Sequence, residues 1–229
     1  MKQVVTKGII LARTDFGEAD RIITVLTPEG KVRLMAKGVR RIKSKLAGGI
    51  ELFSISYITY IPGKGDVSTL ISTRLDTYFS TIVSDINRTM FGYDVLKLIN
   101  RATEDLAGNE YFELLGVILA ALDDKAVHTD LIQLWLYMQL LKVAGHSPNL
   151  KTDKQGQKLS QDEVYTFNIE DMTFIPQKAG RYSSQHIKLL RLAIGLDLPK
   201  QLSQVKDAGE VLPTTLQLAK TMLRQFVRI

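Results

Sequence analysis

Cysteine is absent from this 229-residue sequence. That excludes disulfides, thiolate zinc sites and cysteine nucleophiles together, and it fits a reducing compartment. No apolar run approaches the roughly 20 residues of a membrane span. The N-terminus also lacks the apolar core of a secretion signal. The expectation is a soluble, cytoplasmic protein. Histidine is scarce: His128, His146 and His186 stand apart, without the His-x-x-x-His spacing of a metal site. Each reads as a surface or cap residue. Gly63-Lys64-Gly65 has neither the spacing of a phosphate loop nor the helix that must follow one, so it reads as a hairpin turn with Lys64 at its tip. Asp123-Asp124 and Glu104-Asp105 read as solvated helix termini and faces. With no convergent acid, base and nucleophile, the chain is expected to be no enzyme, and no cofactor or metal is expected.

A local absence is more informative. Residues 31–45 contain no carboxylate and seven cations: Lys31, Arg33, Lys37, Arg40, Arg41, Lys43 and Lys45. An ordinary soluble surface intersperses both signs, whereas a one-signed surface attracts polyanions. The formal net charge is +6, with thirteen basic and seven acidic residues in positions 1–80 and seventeen of each in the remainder. The whole excess therefore lies in the first third, which points to a nucleic-acid or anionic-surface role for that part.

The same stretch carries a structural signal. Val32, Leu34 and Ala36 alternate with Lys31, Arg33 and Lys37, which is the period of a strand with one buried and one charged face. After Gly38 the alternation stops, and a basic loop is expected. Val4–Ala12 and Arg21–Thr27 read as strands flanking a polar loop over residues 14–20 that holds one aromatic, Phe16. Pro28-Glu29-Gly30 reads as the turn of a hairpin into the basic strand. Leu52–Ile61 and Val67–Leu75 complete five strands in about 80 residues. Five short strands without a long intervening helix suggest a closed Greek-key barrel, the OB-fold; an SH3-like barrel is the alternative.

From residue 81 the apolar period becomes helical. Ile86, Met90, Tyr93, Ile99, Ala102 and Leu106 predict one helix, and Tyr111, Leu114, Leu115, Ile118, Leu119 and Leu122 a second. Leu131, Leu134, Trp135, Met138 and Leu141, with apolar neighbours nearly all round, predict a central buried helix. Residues 146–181 read as an irregular insertion with a strand pair, Val164–Ile169 and Met172–Ile175. Ser183 or Ser184 caps a further helix, and Pro213 opens the last. The expected class is α+β, with an OB-fold barrel over residues 1–80 and a helical domain over 81–229.

Aromatic platforms beside cationic grooves are how single strands are held. Phe53 and Tyr57 share parity with Ile55 and are expected in the core. Phe16 and Tyr60 are the two candidates for base stacking. Arg13, Arg21, Lys64 and Arg74 are secondary phosphate contacts, with Arg21 alternatively paired to Glu18 or Asp20.

These residues resemble the bacterial recombination mediator family RecO. The resemblance runs through Lys7-Gly-Ile-Ile-Leu11, Phe16-Gly-Glu-Ala-Asp-Arg21-Ile-Ile-Thr-Val-Leu-Thr27, Gly30-Lys-Val-Arg33 and Ala36-Lys-Gly-Val-Arg-Arg-Ile-Lys-Ser-Lys-Leu46. It carries the pattern G-E-x-D-R leading into a strand, then A-K-G-x-R-R-x-x-S. It implies an OB-fold followed by helices, binding of single- and double-stranded DNA, and annealing of complementary strands. It further implies loading of RecA with the partner RecR, contact with the acidic tail of single-stranded DNA-binding protein (SSB), and a cytoplasmic, nucleoid-associated location. Many family members hold zinc through four cysteines in the C-terminal part; this sequence has none, and a hydrophobic strand pair at Val164–Ile175 is expected in that place. The basic patch alone would also suit an RNA-binding factor of translation or ribosome assembly, or a scaffold gripping an acidic protein tail.

Overall fold

The computed structural model describes residues 2–103, 108–205 and 208–227. The chain forms two compact units, residues 1–123 and 124–229.

In the first unit, strands β1 (Val4–Phe16), β2 (Asp20–Thr27), β3 (Gly30–Ala36), β4 (Ser54–Ile61) and β5 (Val67–Tyr78) form a closed barrel in the order β1-β2-β3-β5-β4. This is the OB-fold. Two devices close it. Residues 4–9 of β1 pair with β4 and residues 9–16 pair with β2, with Leu11 as an extra residue where the register shifts. β3 then meets β5 in a short parallel pairing from Arg33–Val67 to Met35–Thr69. A bulge bends a strand and increases its twist, which lets one strand serve two neighbours. Ile10, Ile23, Val25, Leu34, Ala36, Ile58 and Leu70 fill the interior. Gly8 lies where the walls come closest: a Cβ there would stand 2.5 Å from Val25 Cγ1 and 3.1 Å from Ile58 Cδ1.

β1 and β5 run further than their sequence pattern, whereas β4 begins later, at Ser54. β1 continues through Asp15 and Phe16, because these pair across with Arg21 and Asp20. Only Gly17, Glu18 and Ala19 remain as the turn, with Gly17 at φ +58°. In β4 the parity expected from Phe53 fails. Ser54, Ser56 and Ile58 point inward, while Tyr57 faces outward. Phe53 is indeed core, but its φ of +57° lies in the left-handed region. One residue there breaks the two-residue alternation, so Phe53 and Ser54 are both buried.

Beyond the last strand come α1 (Ser80–Val83), α2 (Ile86–Ala102) and α3 (Asn109–Asp123), which belong to the barrel's unit. Asp85 caps α2 by accepting from the backbone N–H groups of Asn87 and Arg88. The buried face of α2 is Arg88, Gly92, Val95, Leu96 and Ile99. Of the expected stripe, Ile99 is buried but the first half turns outward: Ile86, Met90 and Tyr93 are 72, 57 and 40% exposed. The cause is local. Gly92 allows the helix to approach the Phe53 ring, where a Cβ would stand 2.7 Å from Cε1, and Arg88 donates to the Leu122 carbonyl at 2.7 Å. Glu104, Asp105 and Leu106 lie outside the described residues. In α3, Leu114, Leu115, Ile118, Leu119 and Leu122 are buried, following the sequence pattern.

In the second unit, α4 (Thr129–Val143) is buried nearly all round. Trp135 Nε1 donates to the Leu196 carbonyl at 2.8 Å, and Gln139 to that of Ala193 at 2.9 Å. Both thereby satisfy carbonyls at the end of α5 (Ser184–Gly195). A 3₁₀ turn covers Pro199–Gln204, between α5 and the last helix. Helix α6 (Ala208–Phe226) is already under way before Pro213, the residue expected to open it. The one bond proline forfeits falls near the helix start.

Strands β6 (Tyr165–Asn168) and β7 (Thr173–Pro176) pair antiparallel. Phe174 is fully buried at the centre of an aromatic group, with ring centroids 6.0 Å from Tyr165, 4.9 Å from Phe167 and 6.0 Å from Tyr182. Tyr182 in turn meets His186, whose pKa burial lowers and whose Nδ1 accepts from the Ser183 N–H in the α5 cap.

Two substitutions test these packings by thermal melting. Gly8→Ala forces a methyl against Val25 in a closed barrel and should cost about 1–3 kcal/mol. Phe174→Ala removes the centre of the aromatic group and should cost about 3–5 kcal/mol. An unchanged melting temperature in either case would contradict the packing described.

Candidate nucleic-acid interface

The basic loop between β3 and β4 has two sides. Val39 and Ile50 are part of the barrel core, and Leu46 and Ala47 pack against it. Those apolar anchors hold the loop down, and the cations between them project outward: Lys37, Arg40, Arg41, Lys43 and Lys45 are all exposed. Side chains of Lys37, Arg41, Lys43 and Lys45 make no hydrogen bond or ion pair among the described residues. Ile42, between Arg41 and Lys43, is fully exposed and serves no packing role.

The loop is also tied to the turn between β1 and β2. The Gly38 N–H donates to Asp20 Oδ1 at 2.6 Å, and the Arg40 N–H to the Ala19 carbonyl at 2.9 Å. Gly38 sits at φ +64°, a conformation that favours glycine. The two sequence blocks G-E-x-D-R and A-K-G-x-R-R therefore meet in space, with the aspartate of the first holding the glycine of the second. Arg21 is paired neither to Glu18 nor to Asp20. Its Nε donates to Asp15 Oδ1 at 2.7 Å, across the strand pair. Arg40 Nε lies 3.5 Å from the other oxygen of Asp15, and its Nη1 is 3.4 Å from the Gly17 carbonyl. The Asp15 carboxyl is held below its usual range, first by the Arg21 hydrogen bond and further by the charges of Arg40, Arg21 and Arg13, against partial desolvation.

The remaining candidates divide. Arg33 is exposed on the outer face of β3. Lys31 turns to the end of α2, where its Nζ donates to the Asn100 carbonyl at 2.8 Å, a favourable place for a cation. Arg13 pairs with Glu51 at 2.7 Å. Lys64 is exposed in the turn between β4 and β5. Phe16 is 53% exposed beside Asp15, at the end of β1. Tyr60 packs against the barrel core, and burial, then the charge of Glu29, raises its hydroxyl pKa.

Arg74 belongs to a group that sequence reading did not assemble. Lys7, Tyr57 and Arg74 are register neighbours on β1, β4 and β5. Lys7 Nζ and the Arg74 guanidinium lie 5.0 and 4.7 Å from the Tyr57 ring centroid, within cation–π range. Lys7 also pairs with Asp76 at 3.1 Å. The two-residue alternation extended from Phe53 places Tyr57 inward, which hides this group from the sequence pattern.

The second unit offers no fit for a zinc ion held by cysteines. Among the described residues no group of three or more His, Cys, Asp or Glu could hold a metal. The aromatic group around Phe174 occupies residues 165–182 instead.

Residues 1–78 match the family described as Recombination protein O N terminal. Three relatives are each named DNA repair protein RecO. That of Roseiflexus sp. is 35% identical over 147 residues, 63% of this chain and 51% of the relative. That of Halalkalibacterium halodurans is 29% identical over 229 residues, 96% of this chain and 87% of the relative. That of Listeria welshimeri is 34% identical over 146 residues, 63% of this chain and 56% of the relative. The matched region thus spans about half of the Roseiflexus and Listeria proteins.

The tie between the two loops is testable without any ligand. Asp20→Ala removes the acceptor for the Gly38 N–H and should cost about 1 kcal/mol, the scale of one partly exposed hydrogen bond. Amide hydrogen exchange at Gly38 and Arg40 should accelerate. Unchanged exchange there would mean that Val39, Leu46 and Ile50 hold the loop alone.

Proposed function

We propose that this chain, which belongs to the RecO family of DNA repair proteins, is a DNA repair and recombination mediator that works without a catalytic site of its own. In this reading it binds single- and double-stranded DNA through the barrel and anneals complementary strands. The observation that carries it is the loop from Lys37 to Lys45, held to the barrel by Val39 on one side and by Leu46, Ala47 and Ile50 on the other, while its cations stand exposed and mostly unpaired. A cationic frame held rigidly against a barrel neutralises phosphates on two strands at once and reduces their mutual repulsion, so bases meet their complements. Lys37, Arg40, Arg41, Lys43, Lys45 and Arg33 are the primary contacts. Lys64, at the β4–β5 turn, lies on a loop type that OB-folds commonly use for oligonucleotides. Arg13, Arg21, Lys31 and Arg74 have structural partners and contribute mainly to the local field. Phe16 is the candidate for base stacking.

Family membership extends the proposal to partners: RecR, the acidic C-terminal tail of SSB and, through them, RecA loaded on coated DNA. The setting would be the cytoplasm, at the nucleoid. No helix of the described residues is long and apolar enough to cross a membrane.

Annealing of two labelled complementary oligonucleotides by the protein alone tests the activity. Salt titration tests the site. Arg40→Ala with Arg41→Ala should weaken binding to single- and double-stranded DNA alike, with no change in base preference, because phosphate contacts are sequence-blind. Each lost contact should flatten the dependence of log affinity on log salt by about 0.7–0.9, hence roughly 1.5 for two. Stability should change by less than about 0.5 kcal/mol, since the two side chains are exposed. A constant slope with a sharply lower melting temperature would make these arginines structural and overturn the assignment.

A further inference from the structure

A carboxylate stands against the cationic ends of the basic loop. Asp15 stands at the end of β1 with one oxygen 2.7 Å from Arg21 Nε and the other 3.5 Å from Arg40 Nε. This is the arrangement a phosphate would take between two arginines, each anionic oxygen facing a guanidinium. Half of the Asp15 side chain is exposed, at 51%, and that of Arg40 at 37%, so the pair is open to an incoming anion. We propose that Asp15 acts as an internal competitor for nucleic-acid phosphate, occupying Arg40 in the free protein and limiting how tightly the loop holds DNA. The inference rests on the loop being the DNA contact.

Two opposite roles are conceivable for such a carboxylate: to position the arginine for DNA, or to withhold it. The geometry favours withholding. The backbone of the loop is fixed without Asp15, by Asp20 on the Gly38 N–H, by the Ala19 carbonyl on the Arg40 N–H, and by Val39 and Ile50 in the core. Among the described residues, the Asp15 carboxylate therefore pairs only with the charged ends of Arg21 and Arg40. Arg21 is the closer partner and leaves β2 directly opposite Asp15, so it stays paired locally. Arg40, at the longer distance and on the loop, is the one a phosphate could take over. Such a brake keeps binding reversible, which suits a protein that must release a strand once it is annealed.

The test uses the full chain and a labelled oligothymidylate. Asp15→Asn keeps the shape and removes the charge. It should tighten binding about three- to fivefold at moderate salt, the scale of one exposed ion pair, with little change in the salt slope, because Arg40 meets phosphate in the bound state of both proteins. The gain should vanish when Arg40→Ala is already present. Glu18→Gln, in the same turn, removes an exposed charge that holds no arginine among the described residues, and should change affinity far less. Equal gains from Asp15→Asn and Glu18→Gln, or a gain that survives Arg40→Ala, would reduce the effect to general charge and overturn the proposal. Weaker binding by Asp15→Asn would assign the positioning role instead. Should Asp15→Asn melt early, Asp15→Ser at the same site serves in its place. If wild type binds but Asp15→Asn changes nothing, this inference alone fails. If wild type binds no DNA, or the arginine pair leaves binding untouched, the functional reading fails with it.

Discussion

A five-stranded sheet closes on itself here because β1 changes partner partway along its length. Its first half hydrogen-bonds to β4 and its second half to β2, with the bulge at Leu11 between them. Closure leaves no free edge to pair with another chain, and it has a second consequence. Past the bulge, β1 and β2 run on as a hairpin whose tip carries Asp15, Phe16, Asp20 and Arg21. That tip meets the start of the β3–β4 loop, where Gly38 and Arg40 are bound by backbone. The proposed interface is thus built by the same bend that closes the barrel.

The cations of this region do different work despite their common charge. Lys31 satisfies the end of α2, Arg13 and Arg21 are paired with carboxylates, and Lys7 and Arg74 flank the Tyr57 ring. What remains outward lies mainly on the loop, on Arg33 and on Lys64. Exposed pairs contribute little to stability, so the loop charges are nearly neutral for folding and free to serve binding. Their partners underneath are apolar, and an apolar anchor is insensitive to salt whereas a phosphate contact is not. The loop can therefore keep its shape over a range of ionic conditions, while any phosphate contact proposed for its cations would vary with them.

The second unit shows how a small irregular segment is held by ring packing and a hydrogen-bonded turn. Residues 149–182 hold few hydrogen-bonded strands, but Phe174 gathers three aromatic rings, and Asp153 accepts from the N–H groups of Gln155 and Gln157 in a tight turn. A buried aromatic centre and a carboxylate-nucleated turn supply locally what cross-linking would otherwise supply.

Periodicity alone was enough for much of this architecture. The inward Leu34 and Ala36 and the outward Arg33 and Lys37 of the β3 region follow from a period of two, and the buried faces of α3 and α4 follow from a period near 3.6, because both are properties of the chain's local geometry. The one-signed charge of residues 31–45 was equally legible. Three things were not. The parity of β4 turned on a single left-handed residue, Phe53. The inner face of α2 turned on Gly92 and Arg88, since Ile86, Met90 and Tyr93 made an equally apolar stripe on the other side. Which cations are free turned on partners distant in the chain, such as Asn100 for Lys31, 69 positions away. Local pattern dictates which faces an element has; which of them is covered, and which charges are already neutralised, is decided only when tertiary contacts bring distant residues within a few ångströms.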